Sequence, residues 1–438
     1  MQDHQGKRVA ELADAEWLKR PATRAVFAAL RDDGHKVRAV GGAVRNTLLG
    51  RAVADIDLAT PALPDIVMRV AEKAGLKAVA TGIDHGTVTV ISDHQPFEVT
   101  TLRKDVETFG RRAVVAFTDD WAEDARRRDF TMNALYASAD GLLFDPLGGY
   151  EDLKAHRVRF IGEPSQRIRE DYLRILRFFR FSADYGDGVF DPDGLKACIA
   201  ERNGLRQLSA ERLHGELLQL LALDRSFAAL ETMFESGLLA DILGGAPALD
   251  RVGRLIAIEE SLDRPADALL RLGALVVRVQ EDAERLAERF RLSNAEQRRL
   301  RTTALTTSAF GLEKDEIAAK SALYRLGPAG YSDHIMMAWA RSAAKPDDDA
   351  WRDLVTLADR WPVPEFPLSG GDIVQLGIDK GPRVGKILNS VETAWIERGF
   401  IDSRDALLLA AERAISKRDM AESAESAEAE SAEAESDG

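Results

Sequence analysis

The feature that most constrains what this chain folds into is a change of pattern near Tyr150. Upstream, short apolar runs are broken by glycine, proline and aspartate. Downstream, apolar residues recur every three or four positions over long stretches. The upstream part reads as strands over residues 36–40, 55–59, 86–91 and 97–101, with helices over 44–49 and 65–74. Ser92-Asp93-His94-Gln95-Pro96 reads as the turn between the last two strands. From Pro164 to about Ser416 helical patterns dominate. The expected fold class is α+β: a mixed sheet with helices over residues 1–150, followed by an all-helical remainder.

No stretch approaches the roughly 18 uninterrupted apolar residues of a membrane span. The N-terminal MQDHQGKRVAELADAEW lacks the apolar core of a signal peptide. Cys198 is the single cysteine, which excludes an intramolecular disulfide and a cysteine-based zinc cluster. A cytoplasmic protein without a membrane partner is the expectation. The formal net charge of −14 argues against a nucleic-acid partner until it is mapped. The last 18 residues, AESAESAEAESAEAESDG, carry six Glu and Asp437 and no base, and without them the charge is −7. With no large apolar side chain, residues 421–438 are expected to be disordered. Basic clusters stand at Arg103-Lys104, Arg111-Arg112, Arg126-Arg127-Arg128 and from Arg167 to Arg180, a distribution that suits RNA.

Within the first part, GGAVRNTLLGRAVADIDLAT (residues 41–60) is the richest segment. Gly41 and Gly42 follow a strand and precede a helix. They form either a plain tight turn or a place where backbone N–H groups approach a phosphate. Arg45, one turn into the helix, reaches the same place. Asp55 and Asp57 flank Ile56, so on an extended chain both carboxylates share a face. They are either solvated acids or a pair whose mutual repulsion a divalent metal relieves. Glu98 lies between apolar Phe97 and Val99 and faces away from their side. It is an exposed strand acid or a third carboxylate. Three such acids, with water and substrate phosphates, can hold two Mg²⁺ ions and support nucleotidyl transfer.

Two later segments add polar groups. In RRDFTMNAL, Arg128 can bind a triphosphate, while Asp129 and Asn133, one turn apart, can hold a ribose hydroxyl. The bland alternative is a helix start with a solvated basic face. In EDYLRILRFFRF (residues 170–181), Asp171 and Arg174 share one face of an expected continuous helix. An Arg donor fork beside an Asp acceptor can pair with the edge of cytosine or adenine. An (i, i+3) surface ion pair above an Ile175/Leu176/Phe179 stripe is the alternative.

Taken in order, GGAVRNTLLGR, DIDLAT, HGTVTV, FEVTTLRKDVETFGRR, RRDFTMNALY, DPLGGYEDL, EDYLRILRFFRF and SAERLHGELL resemble the class II tRNA nucleotidyltransferase / bacterial poly(A) polymerase family. They span about two-fifths of the chain, from Val40 to Leu218, and LSGGDIVQLGIDKGPRVGKIL extends the likeness to Leu388. The resemblance implies a polymerase-β-like head (1–150), a neck with a nucleotide-selecting helix (151–220), a helical body (221–345) and a tRNA-binding helical tail (346–420). It implies that Asp55 and Asp57 hold the catalytic Mg²⁺, and Glu98, from the strand reading above, is kept as a candidate third catalytic carboxylate. Gly41, Gly42 and Arg45 would line the triphosphate site, and Arg128 and Asp129 would contribute to phosphate and ribose binding, with Asn133 a nucleotide-binding candidate from its spacing alone. Asp171 and Arg174 would read the incoming base as a protein template, supported by Arg177. The implied activity is addition of C, C and A to tRNA from CTP and ATP, with the acceptor and TΨC arm gripped through its backbone. A poly(A) polymerase, a CC- or A-adding specialist, and a non-catalytic RNA-binding protein on a retired head are the alternatives.

Two positions depart from the family pattern. Asn46 stands where an Asp often follows GGxVR, which argues against a metal role there. Phe109, in Thr108-Phe109-Gly110-Arg111, stands where the loop usually reads TDGR, which bears on the final A addition. The seven histidines form no His-Asp pair of the phosphohydrolase type.

Overall fold

The computed structural model describes residues 6–109, 112–304 and 316–416. The described chain divides into two compact units. One comprises Met1–Leu249 with the short segments Ala266–Ala268 and Arg289–Arg291; the other comprises Asp250–Pro265, Leu269–Glu288 and Leu292–Gly438.

The first unit is built on a mixed sheet of eight strands. They are β1 (Lys7–Arg8), β2 (Arg38–Val40), β3 (Asp57–Thr60), β4 (Lys77–Gly82), β5 (Thr87–Ser92), β6 (Gln95–Thr101), β9 (Tyr136–Ala137) and β10 (Leu142–Phe144). Their spatial order is β1-β10-β9-β2-β3-β6-β5-β4, while β7 (Arg103–Phe109) and β8 (Arg112–Phe117) pair separately as a hairpin. β3 and β6 run parallel and the other pairs antiparallel. Alternation explains the central strands: Val88 and Val90 of β5 and Phe97 and Val99 of β6 are buried, and the residues between them are not. The β5–β6 turn places Asp93 and His94 at φ 47° and 60°, the doubly left-handed geometry that matches strand twist in a two-residue hairpin.

Most expected elements recur within two residues of their expected ends. The expected strand over 55–59 is shifted towards its C-terminal end, since regular pairing begins only at Asp57. β4 escapes sequence reading because it is an edge strand with little burial, and β1, β9 and β10 are too short to show a period. Beyond the sheet, helices fill the remainder of this unit, among them Pro164–Glu170, Leu173–Tyr185 and Ala210–Leu221. An aromatic chain joins sheet layer to helix: Phe130 packs on Phe160 (5.0 Å) and on Phe181 (5.2 Å), and Phe160 stacks on Phe178 (5.4 Å).

The second unit is helical, as its periodicity requires. Glu316–Arg341 bends where Gly327 adopts φ 70° ahead of Pro328. One apolar cluster gathers Ile373, Ile387, Val391, Trp395, Leu407 and Ala411. Among the described residues no helix is long and apolar enough to cross a membrane. Gly110 and Arg111 of the loop carrying Phe109, and the acidic segment 421–438, lie outside the described residues.

Candidate active site

Gly41 closes β2 and opens the Gly42–Leu48 helix at φ 70°, ψ −120°. A side chain is strained in that conformation, so the glycine is required by backbone geometry. The helix turns the chain so that Arg45 points back across the sheet end. Its guanidinium is buried, lies 4.1 Å from the centre of the Tyr185 ring, and donates to Asn133 Oδ1 (2.5 Å) and the Tyr185 hydroxyl (2.7 Å). Burial lowers its pKa from the ordinary arginine value.

On the neighbouring strand, Asp57 is the first residue of β3 and pairs in register with Glu98 of parallel β6. Asp55 lies just ahead of the strand. Ile56 between them is buried while both acids face out, so the alternation that groups the carboxylates extends past the ladder. The Asp57 side chain meets solvent, yet it sits in a concavity crowded by protein. Loss of solvation there, then the charge of Glu98 and more weakly that of Asp55, raises its carboxyl above the ordinary value, with Arg128 opposing. A cation beside these acids would relieve that repulsion. Among the described residues no group of three or more His, Cys, Asp or Glu is arranged to hold a metal alone. An ion at the Asp pair would draw its remaining ligands from water and substrate oxygens.

The RRDFTMNAL segment follows the Trp121–Arg126 helix and ends in a 3₁₀ turn, Thr131–Asn133. Asp129 and Asn133 do meet, with Asn133 Nδ2 donating to Asp129 Oδ1 (2.9 Å). Arg177 grips the other oxygen through Nε (2.8 Å) and Nη2 (2.6 Å). Burial opposes ionisation of Asp129, but the Arg177 charge and the hydrogen bonds from Asn133, Arg177 and the Phe130 N–H outweigh it and hold the carboxyl at about 2. Arg128 is anchored on Asp124 (3.2 Å). Asp124, buried on the Trp121–Arg126 helix, also accepts from Arg127 (2.8 Å) and the Tyr136 hydroxyl (2.7 Å). Burial again opposes its charge, and the two arginines and Tyr136 prevail, holding it at about 2.

The expected continuous helix over residues 170–181 is corrected by the structure. Pro164–Glu170 and Leu173–Tyr185 are separate helices, and Asp171 between them is extended (φ −154°, ψ 105°). Asp171 and Arg174 therefore do not share a helix face, nor do they form an ion pair with each other. Asp171 Oδ1 accepts the Leu173 N–H (3.1 Å), and Oδ2 accepts Arg212 (2.7 Å). Arg174 Nη1 donates to the Arg167 carbonyl (2.6 Å) and to Glu170 (2.7 Å). Each is fixed by its own partner, which leaves lone pairs on Asp171 and further donors on Arg174.

Gly41, Gly42, Arg45, Asp57, Arg128, Asp129, Asn133, Asp171, Arg174 and Arg177 line one cavity of about 350 Å³, together with Phe181. Asp55 and Glu98 stand outside that lining, reached through Asp57. Sequence reasoning missed Asp124, Glu170, Arg212, Phe181 and Tyr185. Asp124 had a local signal, an acid three and four residues before Arg127 and Arg128. Arg212 and Tyr185 had none, because their partners lie 41 and 140 residues away.

Comparison with known proteins finds relatives along most of the chain. Residues 37–159 match the family described as poly A polymerase head domain, and residues 190–251 match the probable RNA and SrmB-binding site of polymerase A. The mitochondrial CCA tRNA nucleotidyltransferase 1 of Mus musculus is 35% identical over 384 residues, covering 86% of this chain and 86% of the relative. A CCA-adding enzyme of Levilactobacillus brevis is 28% identical over 88% of this chain and 96% of its own length. Among solved structures, the Bacillus stearothermophilus CCA-adding enzyme in complex with CTP superposes with TM-score 0.71 at 25% identity, covering 92% of this chain and 99% of that one. Motif order, fold and near full-length similarity converge, and the chain belongs to the CCA tRNA nucleotidyltransferase family.

Proposed function

We propose that this protein adds C, C and A in turn to the 3′ end of tRNA, using CTP and ATP without a nucleic-acid template. The observation that carries the reading is the convergence on one cavity of a glycine turn, an acid of the Asp55/Asp57 pair, a cluster of arginines and the Asp171/Arg174 pair. The tRNA 3′ oxygen attacks the α-phosphorus of the nucleotide. The bond to pyrophosphate breaks, and the hydroxyl proton passes to solvent. Nucleotidyltransferases of this family generally use a divalent metal, and Mg²⁺ is the ion proposed here. When bound, Mg²⁺ supplies charge stabilisation at the attacking and leaving oxygens.

The chain's own groups do the rest. Asp55 and Asp57 offer the carboxylates, and Glu98 reinforces the negative field beside Asp57. Gly41 and Gly42 let the phosphates approach the first-turn N–H groups, which have no intrahelical acceptors. Arg45 and Arg128 add positive charge, and Asp129 with Asn133 faces the ribose. Asp171 accepts from the exocyclic amine of cytosine or adenine while Arg174 donates to the ring edge, with Arg177 bracing the pocket through Asp129. The helical second unit is proposed to bind the acceptor and TΨC arm. The neck, body and tail boundaries at 151–220, 221–345 and 346–420, and action in the cytoplasm, belong to the same proposal.

Asp55→Ala and Asp57→Ala are expected to reduce incorporation of labelled CTP and ATP into tRNA lacking CCA by about a thousandfold or more, since metal-borne charge stabilisation is worth several kcal/mol. Retained turnover in either variant contradicts the assignment.

A further inference from the structure

Most arginines of the cavity face a carboxylate: Arg128 meets Asp124, Arg177 meets Asp129 and Arg174 meets Glu170. Arg45 differs. Its Nε and Nη2 donate to Asn46 Oδ1 (3.2 and 3.1 Å), Nη2 also to the Tyr185 hydroxyl, and Nη1 to Asn133 Oδ1. Four of its five N–H donors are thus taken by neutral acceptors, and among the described residues no carboxylate is within ion-pair distance. Asn46 is itself held in place. Its Nδ2 donates to the Ala52 carbonyl (3.1 Å), and its Oδ1 accepts the Tyr185 hydroxyl (3.2 Å). The guanidinium is placed at the cavity wall by neutral acceptors, and Asp184 and Asp129 offset its charge only from beyond ion-pair distance.

We infer that Asn46 is a positioning residue that holds Arg45 through a neutral amide, so that more of the arginine charge is left for the nucleotide phosphates than a carboxylate there would leave. The inference rests on the proposed nucleotide site and deepens it. A carboxylate at position 46 would accept the same two hydrogen bonds from the same place. It would also neutralise the guanidinium locally and meet an incoming polyanion with negative charge. Affinity for nucleotide is therefore set at position 46 by charge, with shape nearly constant between Asn and Asp.

The test is calorimetric titration of the full-length protein with CTP and Mg²⁺, without tRNA, for wild type, Asn46→Asp and Asn46→Ala. Both variants lose the donation to the Ala52 carbonyl, so that loss cancels between them. Asn46→Asp is expected to weaken CTP binding about tenfold, the size of a lost charge-assisted contact. The weakening should shrink as salt is raised, and Asn46→Ala should change affinity less. In tRNA extension, Asn46→Asp should raise KM for CTP and ATP while kcat stays within about twofold, as for a lost interaction shared by ground and transition states. Wild-type affinity in Asn46→Asp, or an Asn46→Ala defect as large as that of Asn46→Asp, overturns the inference and reduces Asn46 to a packing role. The titration decides this alone. Wild-type protein that binds CTP yet extends no tRNA would strike the proposed activity and not the charge arrangement.

Discussion

At the scale of single residues the cavity is a set of charges tuned by partners. Asp171 is the clearest case, because its contacts with the Leu173 N–H and Arg212 fix the acceptor proposed to face the base. Asp171→Ala is expected to lose discrimination against UTP, which has no exocyclic amine to donate, while binding of tRNA is unchanged. Competition between CTP and UTP in single-turnover incorporation measures this, and unchanged selectivity removes Asp171 from base choice. Asp124 makes a prediction about stability. Its folded pKa of about 2 lies below the ordinary aspartate value of 3.8, so its stabilisation is complete above the unfolded value and is lost as pH falls toward 2. The contribution is of order 2 kcal/mol. Asp124→Asn should therefore lower urea-unfolding stability at neutral pH and flatten its decline between about pH 4 and pH 2. An unaltered acid limb contradicts the ion-pair account. The Asp55/Asp57 pair was legible in sequence because alternation groups it, whereas Arg128 and Asp171 were singled out by the resemblance, and the shared helix face of Asp171 and Arg174 is not kept by the structure. The partners that tune Asp171 and Arg45 were not, since their hydrogen bonds join residues far apart in sequence.

At the scale of elements, turns and breaks place the side chains. The strand-to-helix turn at Gly41 was visible in outline from glycine placement, and alternation set Glu98 on the face opposite Phe97 and Val99, but its register with Asp57 was not visible. The break between Pro164–Glu170 and Leu173–Tyr185 was not. The apolar period runs through it, and only the extended backbone at Asp171 reveals it. Tyr172 occupies this break and packs directly over Gly204, where an added Cβ would overlap its ring. Gly204→Ala must push the ring aside and disturb Asp171 beside it. The expected result is more UTP misincorporation and a destabilisation of about 1–3 kcal/mol, typical of overpacking. Thermal melts with the CTP/UTP ratio measure both, and native fidelity at lowered stability would separate Tyr172 from base selection.

At the scale of the whole molecule, the change of pattern near Tyr150 correctly foretold a sheet-bearing part followed by helices. The two compact units divide elsewhere, near Leu249. Helices between those points pack into the sheet-bearing unit through the Phe130–Phe160–Phe178 chain, which periodicity alone does not assign to a partner. The head carries a family description of poly A polymerase, whereas the near full-length relatives are named for CCA addition. Product length separates these chemistries. Purified protein, Mg²⁺, CTP, ATP and a tRNA ending just before CCA should yield one product longer by three nucleotides and no further growth; a long adenylate ladder, or extension that stops after one or two nucleotides, would contradict CCA addition.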